Sequence, residues 1–304
     1  MTKATDVNID QMNFHLNLVL PVVAAIIYVF GALFVKRSGD FWIGIWRTAF
    51  VANMALAAVF QAMLLAGGTI HWELLWQPAV EGALALLGQH FTFLALQRGD
   101  VSVAIPVMSL KIVLVAFFTT LLLTQAVSAQ LWAAAVLSSL AILLLNRTGG
   151  AKLHNVGVTV VYAAMSATMF ALCDVLIQKW VPAWGAGRFL PLMMVFLALF
   201  SLLFIPFFSA PLTCIPRAAW PPLLLGGALI GGQSLVITMV IVTYQDATSA
   251  NILYSSNGLW SVIAVWAVGH WFASREQHLG AGVLRWRLIG AALMLVAISL
   301  VLVN

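Results

Sequence analysis

One lysine lies in the middle of a long apolar stretch of this 304-residue chain. Residues 103–123 read VAIPVMSLKIVLVAFFTTLLL, with Lys111 close to the centre. An ammonium group costs at least about 2.5–3.5 kcal/mol at the centre of a lipid bilayer, and from there the lysine stem is too short to reach water. Lys111 should therefore face a polar cavity, where it could hold a carboxylate, a phosphate or a coupling ion.

Two other interpretations of Lys111 remain open. It could form an ion pair with an aspartate that only locks two helices together, or it could be neutral because burial disfavours its charge. Pro106, five residues earlier, favours the functional interpretation, because proline removes a backbone donor and can kink a helix.

Asp174 is the second charged residue inside an apolar run. The run predicted around it spans 156–178, which puts Asp174 about one turn from its end. There it could reach the membrane surface and pair with Lys179. If it faces the cavity instead, it could bind a substrate amine, carry a proton or neutralise Lys111.

Neutral polar residues provide the remaining candidates for a substrate site. Tyr254 and Asn257 are three residues apart and share a helical face. The other candidates are Gln89, His90, Gln233 and Tyr28. Hydrogen bonds between helices would explain the amides equally well, His90 could be an ordinary core histidine, and Tyr28 could only pack. The sequence places Arg47 and Glu81 near the starts of two runs, so both are expected at the membrane interface.

The elements that must position these residues are membrane helices. Hydrophobic residues make up 63% of the chain and charged residues 8%, whereas soluble domains carry about 25% charged residues. Ten apolar runs are long enough to cross or nearly cross a bilayer. They are 16–35, 42–66, 76–96, 101–123, 129–146, 156–178, 189–208, 220–243, 247–272 and 288–303. The expected fold is an all-α membrane protein with ten transmembrane helices.

The charges outside these runs do not indicate a nucleic-acid surface. The net charge is +5, but Lys and Arg are scattered over short loops, where they set membrane orientation and contact anionic lipids. Asp6 and Asp10 precede the first run, where a signal peptide would carry positive charge, so this run is predicted to be a retained span. No cofactor or metal site is expected.

The chain repeats itself in the same order in its two halves. GDVSVAIPVMSLK, from Gly99, aligns with QDATSANILYSSN, from Gln245, and lays Lys111 over Asn257. Further matches lay Gln89 over Gln233 and Ala32 over Asp174, with offsets between 142 and 146 residues. Residues 1–150 and 151–304 would then be two five-helix repeats. Because five is odd, the second would enter the membrane inverted, an architecture of many secondary transporters with a midplane substrate site.

Several short motifs resemble the drug/metabolite transporter superfamily, in its ten-span EamA-like branch. They are GDVSVA from Gly99, Arg275 and Glu276 before the last run, LIGAAL from Leu288, and Arg47 early in the second run. The resemblance extends over nearly the whole chain. It implies a membrane carrier of small metabolites or drugs that does not hydrolyse ATP.

The preferred hypothesis is a secondary transporter of a small anionic or zwitterionic metabolite, such as an amino acid or an organic acid. An alternative is a proton-coupled exporter of cationic drugs or amines, against which Lys111 argues because it would repel a cation. A non-transporting structural membrane protein is the alternative from another class. An enzyme is not expected, since the chain lacks the His-Glu-x-x-His, Gly-x-Ser-x-Gly and Walker motifs. The expected partners are a small-molecule substrate and the lipid bilayer, with a homodimer left open and no nucleic acid.

The expected location is a bacterial inner membrane, crossed several times. Loops after odd-numbered runs carry ten basic residues, namely Lys36, Arg37, Arg47, Arg98, Arg147, Lys152, Arg217, Arg275, Arg285 and Arg287. The termini and the other loops carry three, namely Lys3, Lys179 and Arg188. The positive-inside rule therefore predicts that both termini lie outside, whereas the family resemblance implies that they lie inside.

Overall fold

The computed structural model describes residues 2–98, 101–145, 156–268 and 281–303. Within these ranges the chain is helical and contains no strand. Some residues singled out in the sequence lie outside the described ranges, namely Gly99, Asp100, Arg147, Lys152, Arg275 and Glu276.

Twelve α-helices follow one another through the described residues. They are α1 (Thr2–Gly39), α2 (Ile45–Phe60), α3 (Trp76–Arg98), α4 (Val101–Met108), α5 (Lys111–Leu122), α6 (Ala129–Leu145), α7 (Val156–Trp184), α8 (Ala186–Ser201), α9 (Trp220–Tyr244), α10 (Ala247–Tyr254), α11 (Asn257–Val268) and α12 (Ala281–Val303). Short 3-10 helices are formed by Gln61–Ala66, Trp72–Leu74, Leu202–Phe207, Leu212–Cys214 and Arg217–Ala219.

Within the described residues, six helical segments are long and apolar enough to cross a membrane. They are Leu16–Ser38, Ile45–Ala66, Val156–Trp184, Ala186–Phe207, Arg217–Tyr244 and Arg285–Val303. Lys111–Leu122 and Ala129–Leu145 are shorter apolar helices. Large apolar side chains such as Leu121 and Leu295 are more than half exposed, which suits a surface that faces lipid tails. The predicted class, an all-α membrane protein, is confirmed.

Two predicted spans are each divided into two helices. The run 101–123 forms α4 and α5, separated at Ser109 and Leu110, and the run that begins at residue 247 forms α10 and α11, separated at Ser255 and Ser256. We call these interruptions the first and the second helix break. The residue that begins the helix after each break is Lys111 in α5 and Asn257 in α11. The two breaks thus lie 146 residues apart, at the offset that pairs Lys111 with Asn257 in the sequence.

The local geometry and the helix neighbours recur between the two halves. Gly44 (φ 84°) and Gly185 (φ 77°) each precede a 16-residue helix that continues as a six-residue 3-10 helix. Helix α1 packs along α9 as α7 packs along α3, and α2 packs on α9 as α8 packs on α3. Helices α4 and α5 pack on α7, while α10 and α11 pack on α1. The helices before and after each break therefore pack on the long helix of the other half.

Helix α7 is longer than the sequence indicated, and this changes the position of Asp174. The predicted run ends at residue 178, but the helix continues to Trp184. Trp184 is fully buried against Phe189, and its indole nitrogen donates to Gln77 Oε1 at 2.9 Å. Asp174 is therefore ten residues from the end of the helix, and its expected place one turn from that end is wrong.

Candidate functional site

Lys111 and Asp174 form an ion pair between the two halves of the chain. Lys111 Nζ lies 2.7 Å from Asp174 Oδ2, and the two side chains are 27% and 16% exposed. The pair forms because α5 packs along α7, and because the first break makes Lys111 the opening residue of α5. Lys179 does not compete for Asp174, since its Nζ donates to the backbone oxygen of Leu122 at 3.2 Å.

Asn251 is the third member of this site, and sequence reasoning missed it. Its Nδ2 donates to Asp174 Oδ2 at 2.8 Å and to the backbone oxygen of Ala247 at 2.9 Å. The side chain is 2% exposed, so it is fixed in place by α10. The sequence could have indicated Asn251, because it lies one helical turn before Tyr254 and therefore on the same face of the helix.

Tyr254 is the predicted residue near the ion pair, and Tyr28 and Asn257 lie next to Tyr254. Tyr28 and Tyr254 pack edge to face, with ring centroids 6.1 Å apart. The Tyr254 hydroxyl lies near the Asn257 side chain and within electrostatic range of Asp174. We call Lys111, Asp174, Asn251, Tyr254, Asn257 and Tyr28 the central cluster.

The contacts of Gln89, His90 and Gln233 do not include the ion pair. His90 packs against Trp46, with ring centroids 5.5 Å apart, and Trp46 in turn contacts Phe93, Phe204 and Phe207. Gln233 Nε2 donates to Ser234 Oγ at 2.7 Å. The side-chain oxygens of Gln89 and Gln233 are buried and accept no hydrogen bond. Each is an acceptor that a donor group of a ligand could satisfy.

Glu81, expected near the membrane interface from its place early in the run, is buried inside the bundle. Its exposed fraction is 0%, and neither carboxyl oxygen has a hydrogen-bond partner. The Cys173 thiol points toward the Glu81 backbone oxygen, with 3.9 Å between sulfur and oxygen. The sequence carried a weak signal, a single acid among the apolar residues of α3, but position in the run alone suggested the interface.

Arg47 is also directed into the protein. It is 6% exposed, and its two terminal nitrogens donate to the Pro211 backbone oxygen at 3.4 Å and to Ser209 Oγ at 3.2 Å. Arg47 therefore fastens the start of α2 to the segment between α8 and α9. The partners of Arg47 lie more than 160 residues away in the sequence, so the hydropathy of one apolar run could not predict this contact.

The chemistry of the central cluster is that of a binding site with both signs of charge. It offers one ammonium, one carboxylate, two amides and two phenols, and both charged side chains are partly exposed. Among the described residues no group of three or more His, Cys, Asp or Glu could hold a metal ion. Such a set can bind a small molecule that carries complementary charges.

Comparisons with known proteins concern the family and the fold of this chain. Residues 15–147 match the family model described as the EamA-like transporter family. A solved structure, described only as the crystal structure of a protein, superposes with a TM-score of 0.74. It is 17% identical in sequence, and the match covers 93% of this chain and 95% of the other. No curated protein matches the chain significantly. The match to the EamA-like transporter family thus lies within the first half of the chain, where it agrees with the resemblance seen in the motifs, and the apolar helices make the protein a multi-pass membrane protein.

Proposed function

We propose that the protein is a secondary transporter that moves a small zwitterionic or anionic metabolite, such as an amino acid or an organic acid, by alternating access. The observation that carries this proposal is the Lys111–Asp174 ion pair of 2.7 Å. Its partners come from different halves of the chain, and Lys111 begins the helix after a break. Charges inside a membrane bundle are costly, so they are usually kept for a substrate or an ion.

The architecture that we propose has ten spans in two inverted five-helix repeats, residues 1–150 and 151–304. In its support, Gly44 and Gly185 begin matched helices, and the two helix breaks lie at equivalent positions. The exchanged packing of α1 with α9 and of α7 with α3 is what a two-fold axis between the repeats would produce. Broken helices next to such an axis are a common setting for transporter substrate sites.

A zwitterion fits the central cluster better than an ion of one sign. A bare anion would draw Lys111 away from Asp174 and leave a carboxylate unpaired, and breaking a buried pair costs about 3–5 kcal/mol. A zwitterion replaces the ion pair by two new ones, its carboxylate with Lys111 and its ammonium with Asp174. The amides of Asn251 and Asn257 and the phenol of Tyr254 would supply neutral hydrogen bonds to the same ligand.

The second candidate function is proton-coupled export of cationic drugs or amines. One observation favours it, namely that Glu81 lies within electrostatic range of Asp174, which adds a second acid to the site. The ammonium of Lys111 weighs against it, since a bound cation would compete with Lys111 for the same carboxylate. We therefore place it second.

We propose a bacterial inner membrane as the location. The orientation of the protein follows from its basic residues, of which ten lie in loops after odd-numbered runs and three in the termini and the other loops. This distribution predicts that both termini lie outside. Alkaline phosphatase and green fluorescent protein, fused separately to Asn304, would test this. Phosphatase activity without fluorescence would support it, and fluorescence without phosphatase activity would contradict it.

The function is tested by ligand-induced thermal stabilisation of the purified protein, followed by counterflow in proteoliposomes. The probes are three sets of compounds: L-amino acids, mono- and dicarboxylic acids, and primary amines. A ligand that binds only the folded protein raises its unfolding temperature. We expect the amino acids to stabilise the wild type and to exchange across the membrane.

The variants Lys111→Ala and Asp174→Asn should lose both effects. Matched controls are Lys36→Ala and Asp40→Asn, which change exposed residues of the same types near the end of α1. The proposal fails if amines alone stabilise the protein, or if Lys111→Ala binds amino acids as the wild type does.

A further inference from the structure

Glu81 is an acidic residue whose surroundings do not stabilise an ionised carboxylate. It lies in α3, its exposed fraction is 0%, and both carboxyl oxygens are buried without a hydrogen-bond partner. The next residue, Gly82, lets α8 approach closely, because an added Cβ there would be 2.8 Å from the Leu197 backbone nitrogen. Water is therefore excluded from Glu81 in this conformation.

The titratable and charged groups near Glu81 are few. From α7 they are Cys173, whose thiol contacts the Glu81 backbone oxygen, and Asp174, which lies within electrostatic range. Lys111, from α5, lies within electrostatic range of Cys173 and is paired with Asp174. The charged residue of α8, Arg188, lies in its first turn and donates to the Leu64 backbone oxygen. Helix α4, which also packs on α3, has the sequence VSVAIPVM and no charge.

An ionised Glu81 would be unstable in these surroundings. A buried carboxylate without a partner costs several kcal/mol, and Asp174 nearby would repel it. Lys111 does not relieve this, because its ammonium is committed to Asp174 at 2.7 Å. The acid form, in contrast, is neutral and loses only modest hydrogen-bonding energy in an apolar site.

We propose that Glu81 holds a proton in this conformation and is the site through which protons are exchanged for the substrate. This inference rests on the proposed function. When α3 and α8 separate and admit water, the O–H bond of Glu81 breaks, the proton passes to a water molecule, and a carboxylate remains. The central cluster and Glu81 then carry one more negative charge, which favours binding of the ammonium group of a zwitterion beside Asp174. Return of a proton neutralises Glu81 and favours substrate release.

A purely structural role would make Glu81 a permanently neutral packing group. The two roles differ in what Glu81→Gln does, because glutamine has the shape of the protonated acid but cannot lose a proton. Under a structural role the variant should behave as the wild type. Under our proposal it should bind substrate more weakly than the wild type, as the protonated form does, and should no longer link substrate movement to protons.

The first test is infrared spectroscopy of the full-length protein at pH 7, where an exposed glutamate is ionised. We expect a protonated-carboxyl band in the wild type that disappears in Glu81→Gln and persists in Glu73→Gln. Glu73 is a matched control, since its side chain is 70% exposed. Absence of the band from the wild type, or its persistence in Glu81→Gln, overturns the proposal. The wild-type spectrum alone can overturn it if Glu81→Gln does not fold.

The second test measures protons with a trapped pH-sensitive dye in proteoliposomes and an L-amino acid mixture as the probe. Wild type and Glu73→Gln should move protons against the amino acids, whereas Glu81→Gln should give weaker counterflow and no proton movement. Amino acid transport by the wild type without proton movement overturns the proposal. If the mixture neither stabilises the protein nor crosses the membrane, the proposed function fails, and the infrared band alone upholds or overturns the protonated state of Glu81.

Discussion

The two helix breaks have the same backbone design and different chemistry. Each interrupts a span with two residues, and each is followed by a helix whose first side chain is polar. At the first break this side chain is the ammonium of Lys111, held by Asp174, and at the second it is the neutral amide of Asn257. From this comparison we infer that the matching helix breaks set the backbone geometry of the site. The residue type at one position, lysine or asparagine, then decides whether the break carries a charge.

The supports of the two breaks also differ. At the first break Ser109 and Ser139 exchange hydrogen bonds, each hydroxyl donating to the backbone oxygen of the other, at 3.3 and 3.0 Å. At the second break Ser255 Oγ lies 2.6 Å from the Ile252 oxygen, while Ser256 Oγ is buried without a partner. The charged break is thus fastened to α6, and the neutral break keeps an unsatisfied hydroxyl.

The largest expected effect comes from removing the charge at the first break. Lys111→Ala leaves Asp174 with only Asn251, which should cost about 3 kcal/mol of stability and weaken amino acid binding by roughly 100-fold. Thermal unfolding and counterflow measure the two losses, with Lys36→Ala as control. The double variant with Asp174→Ala should recover stability but not transport. Recovery of transport as well would mean that the pair is only structural.

Adding a charge at the second break would make the two breaks alike. Asn257→Lys introduces a second ammonium that must compete with Lys111 for Asp174, at a cost of about 2.5 kcal/mol. We expect a lower yield of folded protein and a lower unfolding temperature than in Asn257→Gln, which keeps the amide. If the lysine variant were as stable as the glutamine variant, the second break would not face the same cluster as the first.

Asn251 donates to Asp174 of the ion pair, so its loss should reduce both stability and transport. Asn251→Ala removes a hydrogen bond to a carboxylate and should cost about 2 kcal/mol together with most of the transport. The control is Asn53→Ala. Asn53 is also 2% exposed, and its Nδ2 donates to Ser201 Oγ at 2.8 Å, away from the cluster. The control should lose about 1 kcal/mol and keep transport. Equal transport in the two variants would remove Asn251 from the site.

The smallest effects should distinguish the supports of the breaks. Ser139→Ala removes a buried hydrogen bond that holds the first break and should destabilise the protein by about 1 kcal/mol. Ser256→Ala removes a buried hydroxyl that has no partner, so it should be neutral or slightly stabilising. Chemical-denaturant midpoints of the two variants, measured side by side, test this difference. The opposite order would show that Ser256 makes a contact that matters more than the Ser109–Ser139 pair.

Much of the candidate site was accessible from local properties of the sequence. The cost of an ammonium in an apolar run identified Lys111 whatever its partner, and the repeat register paired it with Asn257, which also begins a helix after a break. Tyr254 has no partner in the repeat register. It was found because it lies three residues before Asn257 on the same helical face. The limits of the repeat register appear at Gln89 and Gln233, which match in register but whose buried side-chain oxygens accept no hydrogen bond from the central cluster.

Composition and run length by themselves determined that this chain is an all-α membrane protein, because transfer into lipid is a sum over residues that needs no knowledge of neighbours. Tertiary structure decided where the long runs break, which acid meets Lys111, and that Asn251 and Glu81 lie beside that pair. These depend on which helices pack together: α5 on α7 brings Lys111 to Asp174, and α3 between α7 and α8 buries Glu81. Packing partners far apart in the sequence leave no trace in the hydropathy of a single run, so only the folded chain reveals them.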